Sequence, residues 1–291
     1  METEALKAEL GRIRLANANR DWLKDLDDRK KKELEFHNKH REKNRAENLP
    51  KDTYDLLYGN KKFYGAVRAS HLYVDRWIER NAPGKVFLDY ACGNGSQAIK
   101  AAQSGALLTI GLDISDVSIQ NATARAATQT SPGSTIFLQG DCEETGLPDA
   151  CVDVILCSGM LHHLDLRYAL PELHRILAPG GRVLAVEALD YNPAIKLYRK
   201  LTPEMRTDWE KNHILSLKDV RFAKRFFDIG EIRYWHLLSI LAAYVRNEEV
   251  RSLAVRTLNR VDAVLTRIPL LQLMSWQFTF EMIRPVERKD N

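Results

Sequence analysis

Short apolar runs alternate with segments of helical periodicity between residues 85 and 190. The apolar runs lack the polar alternation of a half-buried strand, so they predict parallel strands that are covered on both faces. The predicted strands are Val86–Leu88, Leu107–Leu112, Thr135–Leu138, Val152–Cys157 and Gly181–Ala188, and the predicted helices are 96–103, 116–127 and 166–177. This alternation predicts an α/β fold.

The flanking regions have mainly helical periodicity. Residues 1 to about 48 are predicted to be helical, because Leu6, Leu10 and Ile13 repeat at helical spacing and no proline occurs before Pro50. Further helices are predicted over 60–78, 191–224 and 235–268, and further strands at Phe226–Tyr234 and Trp276–Ile283. The helix over 235–268 carries one apolar stripe, formed by Ala254, Leu258, Val261, Leu265 and Ile268. Such a stripe packs in a core or in a dimer contact, so a homodimer is one possible assembly.

These patterns divide the chain into three parts. We predict a helical cap over residues 1–80 and a ligand-binding core over 81–190. A third part over 191–291 is predicted to add helices beside the binding site and the last strands of the same sheet. The predicted architecture is a mixed sheet of about seven strands with helices on both sides and helical cap segments.

Composition excludes several classes of protein. The chain has 291 residues, 45% hydrophobic residues and a net charge of +4, and its basic residues are mixed with acidic ones, which argues against a nucleic-acid partner. Its four cysteines form no CxxC pair, which favours a reducing compartment. The longest apolar run, 237–245, is far short of the roughly 20 residues that a membrane span needs. We therefore expect a cytoplasmic protein without a membrane span.

The first predicted strand ends in a glycine-containing turn, Asp89-Tyr90-Ala91-Cys92-Gly93-Asn94-Gly95. Glycine lets the backbone approach a ligand closely, and the following helix presents its N-terminus to a carboxylate or phosphate. Ligands of open parallel sheets bind at the carboxyl ends of the strands, where this turn is predicted to lie.

Two more carboxylates follow the next two strands. Asp113 can accept hydrogen bonds from both hydroxyls of a ribose, and Asp141 can accept one from an adenine amine. A single aspartate after a strand is more often a helix cap or a turn former than a ligand contact. The joint spacing of these acids favours a nucleoside ligand. Residues 93–98 also fit the GxGxxA form of the dinucleotide fingerprint, so an NAD-dependent oxidoreductase is an alternative at this point.

Four segments resemble the successive motifs of class I S-adenosylmethionine-dependent methyltransferases, in particular the branch of ubiquinone and menaquinone C-methyltransferases (methyltransferase type 11). They are LDYACGNG, GLDIS, QGDCEETGLPDACVDVILCSGMLHHL and LHRILAPGGRVLAVEAL, within about residues 54–190. Ala91 stands where the commonest form of the first motif has glycine. The resemblance implies a Rossmann-like core, S-adenosylmethionine as cofactor and S-adenosylhomocysteine as product.

The resemblance also implies roles for individual residues. Asp89, Gly93 and Gly95 would line the methionine part of the cofactor, Asp113 would hold the ribose, and Asp141 with Cys142 would flank the adenine. Ser158 and Met160 would border the sulfonium, and Tyr64 belongs to a segment that resembles the cover of the cofactor in related enzymes. Ala91 and Ile114 complete the predicted cofactor-binding set.

Three residues are candidates for a base that removes a proton: His163, Glu187 and His162. They follow strand ends that are expected to face the molecule that receives the methyl group. We predict no metal site, because adjacent histidines on a loop are expected to diverge and no nearby Cys or carboxylate completes a recognisable spacing. His37 and His40 share a helix face and could reach the acceptor. The charge run DDRKKK at 27–32 is interpreted as a solvated helix face.

The expected acceptor is a small molecule, such as a natural product, quinone, lipid or sugar-like metabolite. The basic stretch over 196–225 favours an anionic group on it, and the apolar residues near 235–241 favour a partly apolar body. Methylation of carbon and of oxygen both stay open. A non-catalytic methyltransferase-like domain that binds the nucleoside and regulates a partner is a further alternative.

Overall fold

The computed structural model describes residues 2–42, 63, 66, 68–129 and 133–286. The strands are β1 (Val86–Tyr90), β2 (Leu108–Asp113), β3 (Ser134–Gln139), β4 (Val152–Ser158), β5 (Leu177–Ala188), β6 (Asp228–Trp235) and β7 (Gln277–Ile283). The helices are α1 (Thr3–Ala18), α2 (Trp22–Asp25), α3 (Asp28–Arg41), α4 (Arg68–Asn81), α5 (Ser96–Gln103), α6 (Asp116–Ala127), α7 (Leu166–Ile176), α8 (Pro193–Leu201), α9 (Asp208–Asn212), α10 (Leu217–Ala223) and α11 (Glu248–Leu265). Short 3-10 turns occur at Leu161–His163, Pro203–Met205, Ser239–Tyr244 and Leu271–Met274.

One mixed sheet contains all seven strands, in the order β3-β2-β1-β4-β5-β7-β6. The strands from β3 to β5 are parallel, and β7 pairs antiparallel with both β5 and β6. The predicted mixed seven-stranded α/β fold is therefore confirmed. The strand order reverses direction between β1 and β4, and in open α/β sheets ligands bind in the crevice at such a switch point.

The strands and helices predicted between residues 85 and 190 are confirmed, with bounds that differ by a few residues at most strand ends. β1 and β2 are buried along their whole length, which explains why their sequences lack polar alternation. Helix α6 begins after Ser115, whose side chain accepts a hydrogen bond from the Ser118 N–H, and this cap fixes the entry into the helix.

The prediction of helical structure over residues 1 to about 48 is confirmed for most of 3–41, where the structure has three helices, and residues 43–48 lie outside the described residues. Helix α1 ends at Ala18 because Arg20 adopts a left-handed backbone with φ of 61°. Helix α3 begins after Asp27, whose side chain accepts a hydrogen bond from the Lys30 N–H. Leu6 of α1 is buried in the main apolar core beside the sheet. The N-terminal segment therefore contributes to the core as well as to the cap.

The prediction of one helix over 235–268 is wrong. Strand β6 continues to Trp235, His236 adopts a left-handed backbone, and the helix α11 begins only at Glu248. The predicted apolar stripe is only partly buried: Ala254, Leu258 and Leu265 are half-buried, Val261 is 39% exposed, and Ile268 lies beyond the end of the helix and is 45% exposed. Among the described helices, none is both long enough and apolar enough to span a membrane.

Candidate active site

The turn between β1 and α5 adopts left-handed backbone conformations at Ala91, Gly93 and Gly95, with φ of 57°, 51° and 73°. A Cβ atom added to Gly95 would lie 2.8 Å from the Phe137 ring, so packing against β3 requires glycine there. A Cβ atom added to Gly93 would instead lie 3.0 Å from the Arg41 guanidinium. The turn therefore packs on the sheet through Gly95 and faces a cation of α3 through Gly93.

Of the predicted carboxylates, Asp113 bonds to this turn, and Asp141 bonds within the turn that follows β3. Asp113 Oδ2 accepts a hydrogen bond from the Gly93 N–H at 2.8 Å, and its Oδ1 accepts one from the Ser115 N–H at 2.9 Å. Asp141 Oδ1 accepts a hydrogen bond from the Glu143 N–H at 2.8 Å. Both carboxylates are nearly buried, and both line the same cavity.

This cavity is the smaller of two that adjoin, and it has a volume of about 110 Å³. Seven of the predicted cofactor-binding residues line it: Ala91, Asp113, Ile114, Asp141, Cys142, Ser158 and Met160. Asp89, Gly93 and Gly95 do not belong to its lining, and Tyr64 lies outside the described residues. The structure thus brings most of the predicted set together around one space.

Asp89 holds the start of α5. Its Oδ2 accepts a hydrogen bond from the Ala98 N–H at 2.9 Å, and its side chain is buried. Burial raises the pKa of Asp89 to about 7; the Ala98 N–H opposes this shift and the neighbouring Asp113 adds to it. Ionisation of Asp89 is therefore disfavoured in the folded protein.

This raised pKa predicts that Asp89 lowers the stability of the free protein as the pH rises. The folded-state pKa of about 7 exceeds the ordinary value of 3.8, so the penalty is absent below about pH 4 and grows until about pH 7. Asp89→Asn cannot ionise, and its carbonyl oxygen can still accept the Ala98 N–H. We expect urea unfolding to show that the variant gains stability relative to wild type between about pH 5 and about pH 8, on the order of a few kcal/mol.

The matched control is Asp228→Asn, because Asp228 is exposed at the start of β6. That variant should follow the pH dependence of the wild-type protein. A constant difference in unfolding free energy between Asp89→Asn and wild type across this range would contradict the prediction.

Helix α3 covers the smaller cavity through ion pairs. Lys30 Nζ lies 2.6 Å from Asp141 Oδ2, and Arg29 donates to both carboxylate oxygens of Glu143 at 2.7 and 2.8 Å. Lys30 is 17% exposed and Arg29 is 14% exposed. The interpretation of 27–32 as a solvated charge run is therefore wrong for these two residues.

A larger cavity of about 520 Å³ adjoins the smaller one. Five residues line both cavities: His37, Arg41, Ser158, Gly159 and His163. About half of the residues that line the larger cavity are aromatic or aliphatic, and the others are polar or charged, among them Arg41, Arg199 and Arg206. The lining of the larger cavity comes from the N-terminal helices, from the ends of β4 and β5, and from the segment after residue 190.

Glu187 is buried at the end of β5 and organises the turn after β4. Its Oε1 accepts hydrogen bonds from the N–H groups of Met160 and Leu161 at 2.9 and 2.7 Å. Its Oε2 lies 2.6 Å from His162 Nδ1. Burial works to lower the pKa of His162, but the charge of Glu187 and this hydrogen bond raise it above its ordinary value. This geometry favours a positioning role for Glu187.

The second histidine of the pair contacts α3. His163 Nδ1 lies 3.0 Å from Glu33 Oε2, and the Thr207 hydroxyl donates a hydrogen bond to Glu33 Oε1. Burial works to raise the pKa of Glu33, but hydrogen bonds from His163 and His37 outweigh it and hold the pKa well below its usual range. The His162 and His163 rings lie 4.2 Å apart with 36° between their planes. The expectation that these adjacent side chains diverge is therefore wrong.

Comparison with known proteins agrees with this arrangement. Residues 88–185 match a family model described as a methyltransferase domain. By this match, residues 88–185 are a methyltransferase domain. A 27-O-demethylrifamycin SV methyltransferase of Amycolatopsis mediterranei is 34% identical over 101 residues, which cover 34% of this chain and 37% of that protein. A demethylmenaquinone methyltransferase of Thermus thermophilus is 33% identical over 137 residues, which cover 46% of this chain and 60% of that protein.

The methyltransferase domain also resembles solved structures. Magnesium protoporphyrin IX methyltransferase of Synechocystis PCC 6803, crystallised with bound S-adenosylhomocysteine, has a TM-score of 0.52 and 18% identity, covering 78% of this chain and 87% of that chain. This likeness shows a shared fold. The matched segments span less than two thirds of the two curated relatives, and the helices that cover the methyltransferase domain from the N-terminal side lie outside the family match.

Sequence reasoning missed Arg29, Lys30, Glu33 and Arg41, which all line the smaller cavity of the methyltransferase domain. A local signal was available, because Asp27 is a typical N-cap and places Glu33 and His37 one turn apart on the same face of the helix that follows. No local pattern indicates which part of the domain this face covers.

Proposed function

We propose that this chain transfers the methyl group of S-adenosylmethionine to a small-molecule acceptor. The main support is that Asp113 and Asp141 line one cavity, which joins a larger cavity at Ser158 and Gly159. The residues that line the smaller cavity suit a nucleoside and the larger cavity suits an acceptor, so the transferred group would pass where the two meet. The product would be S-adenosylhomocysteine.

The residues present fit the cofactor. In this proposal Asp113 holds the ribose hydroxyls, Asp141 and Cys142 flank the adenine, and Ser158 borders the sulfonium. The Arg41 guanidinium lies against Gly93 and offers a cation to the methionine carboxylate. A volume of about 110 Å³ is smaller than the roughly 300 Å³ of typical ligand pockets, so we expect this cavity to widen when the cofactor binds.

The sulfonium supplies an electrophilic methyl group and a neutral leaving group. The protein then has to align the acceptor with the methyl group, and such alignment can contribute roughly 7–11 kcal/mol. His162 is the residue best placed to receive a proton, because Glu187 fixes its ring and its Nε2 lies 3.9 Å from Glu210, which also lines the larger cavity. His163 and Glu33 form a second pair at the junction of the cavities.

The walls of the larger cavity favour an acceptor with an apolar body and an anionic group. Phe63, Tyr198 and Trp276 provide aromatic surface, since the Phe63 ring lies 5.4 Å from Tyr198 and 5.9 Å from Trp276. The buried Arg199 Nε has no hydrogen-bond partner among the described residues, and Arg206 lines the same side. A buried guanidinium with an unused donor is suited to a carboxylate or phosphate.

A thermal-unfolding comparison tests the cofactor. We expect S-adenosylhomocysteine to raise the Tm by several degrees at concentrations well above its Kd, and NAD to leave it unchanged. Stabilisation by NAD alone would favour the oxidoreductase alternative and contradict the proposal.

Transfer itself is tested with S-adenosylmethionine that carries a radiolabelled methyl group, over a panel of acidic, partly apolar metabolites. Label should appear in an organic product with stoichiometric release of S-adenosylhomocysteine. Binding of S-adenosylhomocysteine without transfer to any member of a broad panel would favour a non-catalytic role.

A further inference from the structure

Two imidazoles surround one carboxylate at the junction of the two cavities. Glu33 and His37 lie one turn apart on α3, and His163 belongs to the turn after β4. Glu33 Oε2 lies 3.0 Å from His163 Nδ1 and 3.6 Å from His37 Nε2. One carboxylate oxygen therefore faces two nitrogen atoms from different segments of the chain.

This spacing is suited to a divalent transition metal. Metal–ligand bonds of about 2.1 Å at angles of 90–110° place ligand atoms roughly 3.0–3.5 Å apart. The two measured distances agree with that separation to about 0.1 Å, and all three ligand atoms lie within 4.8 Å of one another. Two histidines and one carboxylate are a frequent ligand set for Fe²⁺ and Zn²⁺, and they leave further coordination positions open.

The surroundings of Glu33 orient its carboxylate for such a role. The Thr207 hydroxyl donates to Oε1, which leaves Oε2 facing the two histidines. Hydrogen bonds of this kind fix the orientation of metal ligands. Glu33 is only 4% exposed, and its ion pairs among the described residues are with histidines alone. Buried charges are either paired or coordinate a metal, and here the pairing partners of Glu33 are imidazoles that can themselves bind the same ion.

A second group of potential ligands lies nearby but is less suited to a cation. It consists of His162, His163 and Glu210. Glu210 Oε1 lies 3.4 Å from an Arg199 nitrogen and 3.6 Å from Arg206 Nε. Two guanidinium groups already balance this carboxylate and would repel a divalent ion. The Glu33 group is therefore the better site.

The geometry points to Glu33, His37 and His163 as the ligands of one divalent transition-metal ion between the cofactor cavity and the acceptor cavity. His37 and His163 line both cavities, so the open coordination positions face the space where the acceptor would lie. The metal site rests on these contacts alone, whereas its role in the reaction also rests on the proposed methyl transfer.

In that reaction the ion would bind an ionisable oxygen of the acceptor, such as that of a phenol. Metal ions lower the pKa of a bound hydroxyl group, as they do for bound water. The O–H proton of the acceptor would pass to His162, which lines the larger cavity, the O–CH₃ bond would form as the S–CH₃ bond breaks, and S-adenosylhomocysteine would leave as a neutral thioether. The site therefore assigns oxygen as the methylated atom.

Cobalt binding tests the site directly. The full-length protein is stripped with a chelator and titrated with Co²⁺, whose visible absorption bands report nitrogen and oxygen ligands. We expect one equivalent to bind, and we expect Glu33→Gln and His37→Gln each to weaken Co²⁺ affinity by at least about tenfold. His37 is 25% exposed, so its variant tests the site even if Glu33→Gln fails to fold.

His174→Gln is the matched control, because His174 lies on α7 and lines neither cavity. It should bind Co²⁺ as wild type does, and so should Glu210→Gln. Failure of the wild type to bind Co²⁺, unchanged affinity in both ligand variants, or loss of binding only in Glu210→Gln would overturn the assignment.

Binding of S-adenosylhomocysteine to the same samples separates the two proposals. Co²⁺ binding with the expected variant effects, but without any stabilisation by S-adenosylhomocysteine, supports the metal site and contradicts the methyl transfer. Stabilisation by S-adenosylhomocysteine without Co²⁺ binding overturns the metal site and leaves the methyl transfer standing.

Discussion

Asp113→Ala is expected to weaken S-adenosylhomocysteine binding by tenfold or more, which corresponds to about 1.4 kcal/mol or above. The carboxylate of Asp113 accepts the N–H groups of Gly93 and Ser115, and in our proposal it also accepts the ribose hydroxyls. The variant loses the charge-assisted bonds to the ligand together with the contacts that order the glycine turn. Isothermal titration calorimetry measures the change in Kd.

Two comparisons separate the ribose contact from a general effect on the turn. Asp149→Ala is the control for loss of an aspartate, since Asp149 is 79% exposed and pairs only with Arg175 among the described residues. An S-adenosylhomocysteine analogue that lacks the ribose 2′-hydroxyl should bind wild type less tightly, while Asp113→Ala should hardly distinguish the two ligands. Equal discrimination by both proteins would contradict the ribose assignment.

Glu187→Gln is expected to lower kcat by about 100-fold, within the range by which a positioned proton acceptor accelerates reactions. In glutamine, one terminal atom is an oxygen and the other is an NH₂ group. The oxygen can still accept the N–H groups of Met160 and Leu161, but the NH₂ group cannot accept a hydrogen bond from His162 Nδ1 as the second carboxylate oxygen does. The His162 ring then loses the contact that fixes its orientation. Single-turnover kinetics with a labelled methyl group measure the change.

A positioning role predicts that the loss falls on kcat and spares the cofactor. The Kd for S-adenosylhomocysteine should therefore stay within about threefold of wild type in Glu187→Gln. Glu281→Gln on the neighbouring strand β7 is the matched control, because Glu281 accepts a hydrogen bond from Trp77 and lines neither cavity. A wild-type kcat in Glu187→Gln would show that Glu187 is dispensable for transfer.

The core of the fold could be predicted because its signals are local. Helix α5 was expected at 96–103 and α6 at 116–127, and both are observed with those bounds. Buried parallel strands leave continuous apolar runs, and the helices between them leave apolar periodicity and caps. The predicted acids at the ends of β2 and β3 also came from local spacing, and they do line one cavity.

The placement of α3 could not be predicted, because the contacts that fix it join distant parts of the chain. Lys30 is 111 residues from Asp141, and Arg29 is 114 residues from Glu143. In the sequence these cations are indistinguishable from a solvated charge run. The contact between Glu33 and His163 could not be predicted for the same reason, because these residues are 130 positions apart. Long-range polar contacts leave no periodic trace in either segment.

The Phe137 ring fills a space that two glycines leave free. A Cβ atom added to Gly95 would lie 2.8 Å from this ring, and one added to Gly111 would lie 2.6 Å from its Cε1 atom. The three positions thus share a fixed volume, so a larger residue at one demands a smaller residue at another. Among homologues, a side chain at position 95 or 111 should therefore coincide with the loss of the aromatic ring at 137, which would make these three positions vary in concert whatever the acceptor.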